Sequence, residues 1–292
     1  MNSPSFDYTV ADFNYVAHGD GPQRLRLFMP VGIGVGTTMG TGPFPLVVDV
    51  HGGAWCNGDL KDCEPRDLTL VRQGFAVAAL NFRHAGAGYP TSLVDINFAI
   101  RWLKAHAGKL NLRADAVGLS GQSSGGHLAM LSAMRPADPR YAAIATPDGA
   151  AVDATVRAVV MQWPVINPLS RYRNAVRLRD SGNPPAWVGD IPSRHDLYWK
   201  TEAAMEEGNP MLILARGEKV ELPPALWIQG RPDPVHDYRD PTGTHDGNEP
   251  ERFAHRYRAA GGSLDLLYID NAARGTATSH EPTAAFFRRH LV

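Results

Sequence analysis

Short apolar runs alternate along the chain with segments in which apolar residues recur at helical spacing. Strands are predicted at residues 24–29, 46–50, 75–82, 116–120, 156–163, 225–229 and 264–269. Helices are predicted at residues 63–73, 91–106 and 124–134, around His255, and from near Pro282 onward. Repeated alternation of buried strands and helices is typical of an α/β fold with a mostly parallel sheet covered on both faces.

One long segment departs from this alternation. Residues 164–222 are rich in proline, which we interpret as a sign of irregular turns. They also carry closely spaced arginines together with several aromatic residues. A loop of this length in a compact domain usually has a function. The sequence therefore predicts one α/β domain made of residues 1–163 and 223–292, with 164–222 inserted as a cap over the sheet.

Composition excludes several classes of protein. The 292 residues carry 29 Lys plus Arg against 30 Asp plus Glu, so no basic excess favours nucleic acid as a partner. No apolar run is long enough for a membrane span, and the N-terminus lacks the features of a secretory signal. Cys56 and Cys63 are expected to be free thiols in a reducing compartment, which favours a cytoplasmic location.

A glycine-rich stretch at residues 32–40 resembles a dinucleotide-binding loop only superficially. Its glycines do not register as G-x-G-x-x-G, and Pro43 and a strand follow it instead of a helix. We interpret it as a hairpin connection, and no cofactor is expected.

The strongest chemical signal is Gly121-Gln122-Ser123-Ser124-Gly125, a G-x-S-x-G motif between a predicted strand and a predicted helix. This setting is that of a nucleophile elbow, in which a tight turn exposes the serine hydroxyl and glycines avoid collisions across the turn. Ser123 is therefore the candidate nucleophile. Ser120 is a weaker candidate, because its neighbours do not fit the motif.

A second signal is His51-Gly52-Gly53-Ala54-Trp55, directly after a predicted strand. Glycines there free backbone N–H groups to point at a developing oxyanion. We predict that the N–H groups of Gly53, Ala54 and Ser124 form the oxyanion hole.

Together, HGGAW and GQSSGGHLA resemble the α/β-hydrolase superfamily, in particular its hormone-sensitive-lipase-like and feruloyl-esterase-like branch of small carboxylesterases. Asn81-Phe82-Arg83 and the helix after Pro90 resemble further elements of that branch. The resemblance implies an α/β-hydrolase fold, a Ser-Asp-His triad and short acyl chains.

The acid and the base of the triad are sought after Ser123 in the chain. Asp233 lies just past strand 225–229 in a segment that resembles the G-x-x-D-x-V element of the family, with Asp237 as the fallback. Of the late histidines His236, His245, His255, His280 and His290, the resemblance favours His280, which follows the last strand and precedes the terminal helix. His127 is interpreted as a packing residue of the elbow helix.

Three tryptophans are candidates to line the substrate pocket, although such aromatics are as often part of a core: Trp55, Trp187 and Trp199. The arginine run of the insertion, which includes Arg171, is interpreted as a solvated face. Residues 236–249 are rich in histidine and carboxylates, but their spacing matches no zinc or calcium motif. We interpret them as a solvated insertion and predict no metal site.

The predicted function is that of a serine carboxylesterase that hydrolyses short-chain, acetyl-type esters of small alcohols through an acyl-enzyme, without a cofactor. An arylformamidase or other amidase on the same triad, an acyltransferase, and a non-catalytic ligand-binding protein on this fold are the alternatives. The expected partner is a small ester, with neither nucleic acid nor membrane. The sheet edges and the terminal helix are compatible with a homodimer.

Overall fold

The computed structural model describes residues 5–19, 21–32, 42–146, 149–240 and 246–292. Eight strands are described: β1 Asp7–His18, β2 Gly21–Val31, β3 Phe44–Val50, β4 Ala76–Leu80, β5 Leu112–Gln122, β6 Ala158–Gln162, β7 Ala225–Arg231 and β8 Leu264–Asp270. Nine α-helices are described in these ranges: α1 Glu64–Arg72, α2 Thr91–Ala105, α3 Ser124–Met134, α4 Pro168–Arg179, α5 Ile191–Trp199, α6 Glu202–Glu207, α7 Pro210–Ala215, α8 Glu249–Ala259 and α9 Ala277–Leu291.

The strands form one sheet in the order β1-β2-β4-β3-β5-β6-β7-β8. The pairs from β4 to β8 are parallel, whereas β2 runs antiparallel to both of its neighbours. The carboxyl ends of the parallel strands therefore lie at one edge, where ligand sites of such sheets are built. This arrangement confirms the predicted α/β class with a mostly parallel sheet.

Alternate residues of the central strands enter two different cores. On one face, Val48 and Val50 of β3 pack in a core that includes residues of α2 and α3. On the other face, Val47 belongs to a core with residues of α1 and α9. Gly118 of β5 is required on this second face, because a Cβ there would lie 2.6 Å from the Phe287 ring of α9. Both faces are thus covered by helices, as the continuous apolar strands predicted.

The edge strand β1 was not among the predicted strands. It pairs with β2 over nearly its whole length, but most of its side chains are exposed or half-buried. Because so few of its positions face a core, its sequence carries only a weak strand pattern. The glycine-rich stretch at 32–40 lies, except for Gly32, outside the described residues.

The segment 164–222 is mainly helical, which corrects the interpretation of its prolines as irregular turns. Pro168 and Pro210 stand at helix N-termini, where the missing N–H costs no hydrogen bond. Asn167 and Asn209 cap the same two helices by accepting hydrogen bonds from the backbone N–H groups of Ser170 and Leu212. Prolines after capping residues begin these helices; they do not interrupt them.

Two smaller expectations can be compared with the structure. Cys56 and Cys63 are free thiols. In the part of the chain that the structure describes, no helix has the length and apolar character needed to cross a membrane.

Candidate active site

Ser123 stands at a sharp turn between β5 and α3. Its backbone adopts φ 54° and ψ −120°, a conformation that a non-glycine residue adopts only when its surroundings impose it. Its N–H donates to the carbonyl of Gln162 at 2.9 Å, and its carbonyl accepts the N–H of Val165 at 3.1 Å. Bonds on both sides thus hold the strained residue, which has the geometry of the predicted elbow.

Glycines make the elbow possible by close backbone approach. A Cβ on Gly125 would lie 2.2 Å from the Val50 carbonyl oxygen, and one on Gly121 would lie 2.3 Å from that of Gly125. Real Cβ atoms do not approach backbone atoms this closely. The start of α3 can therefore pack against the ends of β3 and β5 only because these two positions are glycine.

The turn that carries Gly53 and Ala54 lies beside Ser123. A Cβ on Gly52 would be 3.4 Å from Cβ of Ser123, and the N–H of Trp55 donates to Oγ of Ser124 at 3.2 Å. Gly53 and Ala54 have φ values of 108° and 51°, which turn the chain sharply at this point. The two sequence motifs that supply the predicted oxyanion-hole residues Gly53, Ala54 and Ser124 are therefore in contact.

A histidine and an aspartate complete a hydrogen-bonded chain that begins at Ser123. Oγ of Ser123 lies 3.1 Å from Nε2 of His236, and Nδ1 of His236 lies 2.8 Å from Oδ2 of Asp233. Asp233 and His236 belong to one tight turn after β7, in which the N–H of Asp237 donates to the carbonyl of Asp233. The turn brings acid and base together with only two residues between them.

Asp233 is held as a carboxylate. Burial alone would raise its pKa, but hydrogen bonds from His236, from the N–H of Val235 and from the Gln229 amide together leave the pKa below the usual value for aspartate. Burial also lowers the pKa of His236, and the Asp233 carboxylate opposes this effect only in part. A neutral imidazole with Nδ1–H directed at Asp233 leaves Nε2 free to accept the Ser123 proton.

The structure corrects the placement predicted for His280, because His236 and not His280 is hydrogen-bonded to Ser123. His280 is buried at the start of α9, where burial and the nearby Arg66 guanidinium lower its pKa to about 4. Arg66 is paired with Asp49 at 2.5 Å, and the Gln162 side chain donates to the carbonyl of Ser279 at 3.1 Å. These contacts hold the start of α9 on the α1 face of the sheet.

The sequence contained a signal for His236 that was not used. Asp233, the predicted acid, lies just after strand 225–229. His236 follows it at a spacing that lets one turn hold both residues. Asp237, the fallback acid, instead accepts hydrogen bonds from Arg231 and Asn248.

Two of the three predicted pocket tryptophans are core residues. Trp55 and Trp199 are each 1% exposed, and Trp55 stacks on Tyr198 of α5 with ring centroids 5.6 Å apart. Trp55 Nε1 also donates to Nδ1 of the fully buried His127, which agrees with the packing role predicted for that histidine. Trp187 is half-buried and packs in a small cluster that also includes Val235, next to His236.

Most described residues of the segment 236–249 are buried or half-buried, which corrects the predicted solvated insertion, although Arg239 and Asp246 are exposed. His236 is part of the hydrogen-bonded chain, and Asp240 and Glu249 both accept hydrogen bonds from Arg252. No group of histidine, cysteine and carboxylate side chains suited to a metal ion occurs among the described residues. His245 lies outside them, whereas His255 is exposed, as predicted.

A family model described as BD-FAE matches residues 37–240, more than two thirds of the chain. The chain belongs to the BD-FAE family. The match includes the elbow, the turn beside it and the Asp233–His236 turn. It agrees with the predicted membership of a carboxylesterase branch of the α/β-hydrolases.

Several proteins that are similar to this BD-FAE chain are named as esterases or carboxylic ester hydrolases. The probable carboxylic ester hydrolase LipM of Mycobacterium tuberculosis is 31% identical over 146 residues, which are 49% of this chain and 31% of LipM. The carboxylic ester hydrolase LipN of the same organism is 26% identical over 247 residues, 81% of this chain and 58% of LipN. The chain thus spans between about a third and somewhat more than half of these relatives.

Solved esterase structures share the fold over nearly the whole chain. Esterase B from Lactobacillus rhamnosis has a TM-score of 0.71 at 21% identity and covers 97% of this chain and 85% of its own. Carboxyl esterase 2 from Tuber melanosporum has a TM-score of 0.69 at 18% identity, with coverages of 99% and 88%. These likenesses confirm the predicted α/β-hydrolase fold.

Proposed function

We propose that the protein is a serine carboxylesterase that hydrolyses short-chain carboxylic esters through an acyl-enzyme. The observation that carries the proposal is the chain of hydrogen bonds from Ser123 through His236 to Asp233, with distances of 3.1 and 2.8 Å. A serine hydroxyl is a weak nucleophile until a neighbouring base accepts its proton. Nε2 of His236 is that base.

In the first half-reaction, Oγ of Ser123 attacks the ester carbonyl and its proton passes to Nε2 of His236. The negative charge of the tetrahedral intermediate is stabilised by the N–H groups of Gly53, Ala54 and Ser124, and such a donor typically contributes about 3–4 kcal/mol. The Asp233 carboxylate holds the imidazole in the required tautomer and stabilises the imidazolium. His236 then returns the proton to the leaving alcohol as the carbon–oxygen bond breaks.

In the second half-reaction, His236 removes a proton from water, and the resulting hydroxide attacks the acyl carbonyl. Collapse of this intermediate releases the carboxylic acid and restores Ser123, so the cycle needs no cofactor or metal. The side chains of Val165, Val235 and other residues leave only a small cavity beside His236, which supports a preference for short acyl groups. One structurally similar esterase, from Thermogutta terrifontis, is described with butyrate bound.

The test compares the wild type with Ser123→Ala and Ser120→Ala on p-nitrophenyl acetate and butyrate. Ser120 is the matched control, because it is a fully buried serine of β5, the strand that leads to Ser123, and has no part in the proposed mechanism. We expect Ser123→Ala to lower kcat at least about 10³-fold, to the uncatalysed background. A fluorophosphonate should add one label to the wild type and to Ser120→Ala but none to Ser123→Ala.

Full activity of Ser123→Ala would overturn the proposed mechanism. Turnover of p-nitroacetanilide faster than of the acetate ester would instead favour an amidase on the same residues. The cap role of 164–222, the cytoplasmic location and the homodimer remain predictions.

A further inference from the structure

Arg171, in the first turn of α4, is buried, and two of its three guanidinium nitrogens lack a hydrogen-bond partner among the described residues. Its side chain is 3% exposed, and within the described part of the chain Nε and Nη2 have no acceptor. The guanidinium carbon lies 5.5 Å from the centre of the Trp55 ring, which supports the cation but accepts no conventional hydrogen bond. Arg171 was predicted to lie on a solvated face, and the structure corrects that prediction.

Other arginines of the same run have polar partners. Arg173 donates to Glu202, Arg177 to Asn174, and Arg179 to Asp180, and all three are exposed. An exposed arginine can also be hydrated, whereas a buried ion that lacks a partner is strongly destabilising. Burial lowers the pKa of Arg171 to about 10, so the side chain still carries its charge at neutral pH.

The position of Arg171 connects it to the candidate active site. Arg171 and His236 line the same small cavity, together with Val235 and Tyr238. The Asp233 carboxylate favours the charge of Arg171, but its oxygens accept hydrogen bonds from His236, Val235 and Gln229. The residues that line the cavity therefore include the Arg171 guanidinium, which has unpartnered N–H groups, and His236, the proposed catalytic base.

The remaining acid of this cavity does not neutralise Arg171. Glu249 is buried and accepts a hydrogen bond from Arg252 at 2.9 Å. Burial raises the pKa of Glu249 to about 7, so a substantial fraction of it is protonated at neutral pH. Arg194 adds further positive charge near Arg171. The balance of charge around the cavity thus favours the binding of an anion.

We propose that Arg171 binds a carboxylate of the substrate, so that the preferred esters carry a free carboxylate near the scissile bond. A guanidinium presents parallel N–H donors that match the two oxygens of a carboxylate, and a charge-assisted pair of this kind is stronger than a neutral hydrogen bond. Dicarboxylic acid half-esters and esters of hydroxy acids both have this chemistry. The inference rests on the proposed esterase function and specifies its substrate class.

The first test uses pairs of substrates of matched shape. Monoethyl succinate and ethyl isocaproate differ in an acyl-side carboxylate, and para-acetoxybenzoate and para-isopropylphenyl acetate differ in an alcohol-side carboxylate. For at least one pair, we expect kcat/KM of the wild type to favour the anion by roughly tenfold or more. The pair that shows the preference identifies the side of the ester that Arg171 binds.

Arg171→Met should remove this preference, and Arg171→Lys should retain part of it, because an ammonium keeps the charge but not the paired donors. Arg177→Met is the matched control on the same helix and should leave the ratio unchanged. If the wild type favours the neutral ester in both pairs, or if Arg171→Met keeps the preference, the proposal is wrong.

A second test does not depend on esterase activity or on the folding of a variant. Succinate should raise the Tm of the wild type in a saturable way, and isocaproate at the same ionic strength should do so much less, because it lacks the second carboxylate. Stabilisation by succinate in an inactive protein would leave the Arg171 site standing while the esterase function fails. Equal Tm shifts with the two acids in an active enzyme would reject the Arg171 site alone.

Discussion

At the scale of single residues, the protonation of His236 determines when the proposed Ser123–His236–Asp233 triad can act. Burial lowers the pKa of this imidazole, Asp233 raises it in part, and the positive charges of Arg171 and Arg274 lower it again. The net direction is downward from 6.5, the usual value. The base is therefore neutral, and able to accept a proton, throughout the neutral pH range.

We accordingly expect kcat/KM for p-nitrophenyl acetate to fall on the acid side with a midpoint below pH 6.5 and to be level from there to about pH 8. Activity is lost as the pH falls, because protonation of Nε2 removes the acceptor of the Ser123 proton. Arg171→Met removes a nearby positive charge and should move this midpoint to higher pH. A wild-type midpoint clearly above 7 would contradict the described environment of His236.

At the scale of elements, glycine and proline positions explain most of what the sequence predicted and part of what it missed. The G-x-S-x-G motif identified the elbow because Gly121 is required by a close approach to the backbone of Gly125, which is local in the chain. The prolines of 164–222 were wrongly interpreted as turn residues. Proline is common both in turns and at helix N-termini, and Pro168 and Pro210 stand at helix N-termini. The capping asparagines before Pro168 and Pro210 were the distinguishing signal.

The elbow gives a direct test at this scale. Gly125→Ala would place a Cβ 2.2 Å from the Val50 carbonyl oxygen, so α3 must shift away from the sheet. We expect a loss of about 1–3 kcal/mol in the free energy of unfolding, together with a fall in kcat, because Ser123 moves with the helix.

Gly108→Ala is the control for this substitution, since no atom lies within 4 Å of its added Cβ. Urea denaturation and p-nitrophenyl acetate hydrolysis measure both effects. If Gly125→Ala were as stable and as active as Gly108→Ala, the described close packing of α3 against the end of β3 would be incorrect.

At the scale of the whole molecule, the mostly parallel sheet and its two-sided core followed from the apolar runs, but the identity of the histidine did not. Both His236 and His280 follow a late strand; His236 lies before α8, and His280 lies in the first turn of α9. The choice depends on how the ends of β7 and α9 meet the elbow, which local sequence does not specify. Gln162 and the Arg66–Asp49 pair hold the start of α9 on one face of the sheet, while the turn after β7 delivers His236 to Ser123.

The measurement that tests this account most directly is the activity of His236→Gln beside His280→Gln, on p-nitrophenyl acetate and below the Tm of each variant. We predict that His236→Gln loses at least about 10³-fold in kcat, because in the described part of the chain no other base is hydrogen-bonded to Ser123. His280→Gln should keep kcat within about tenfold and show mainly a lower Tm, because His280 is buried in the fold. Loss of activity in His280→Gln with retention in His236→Gln would contradict the Ser123–His236–Asp233 assignment.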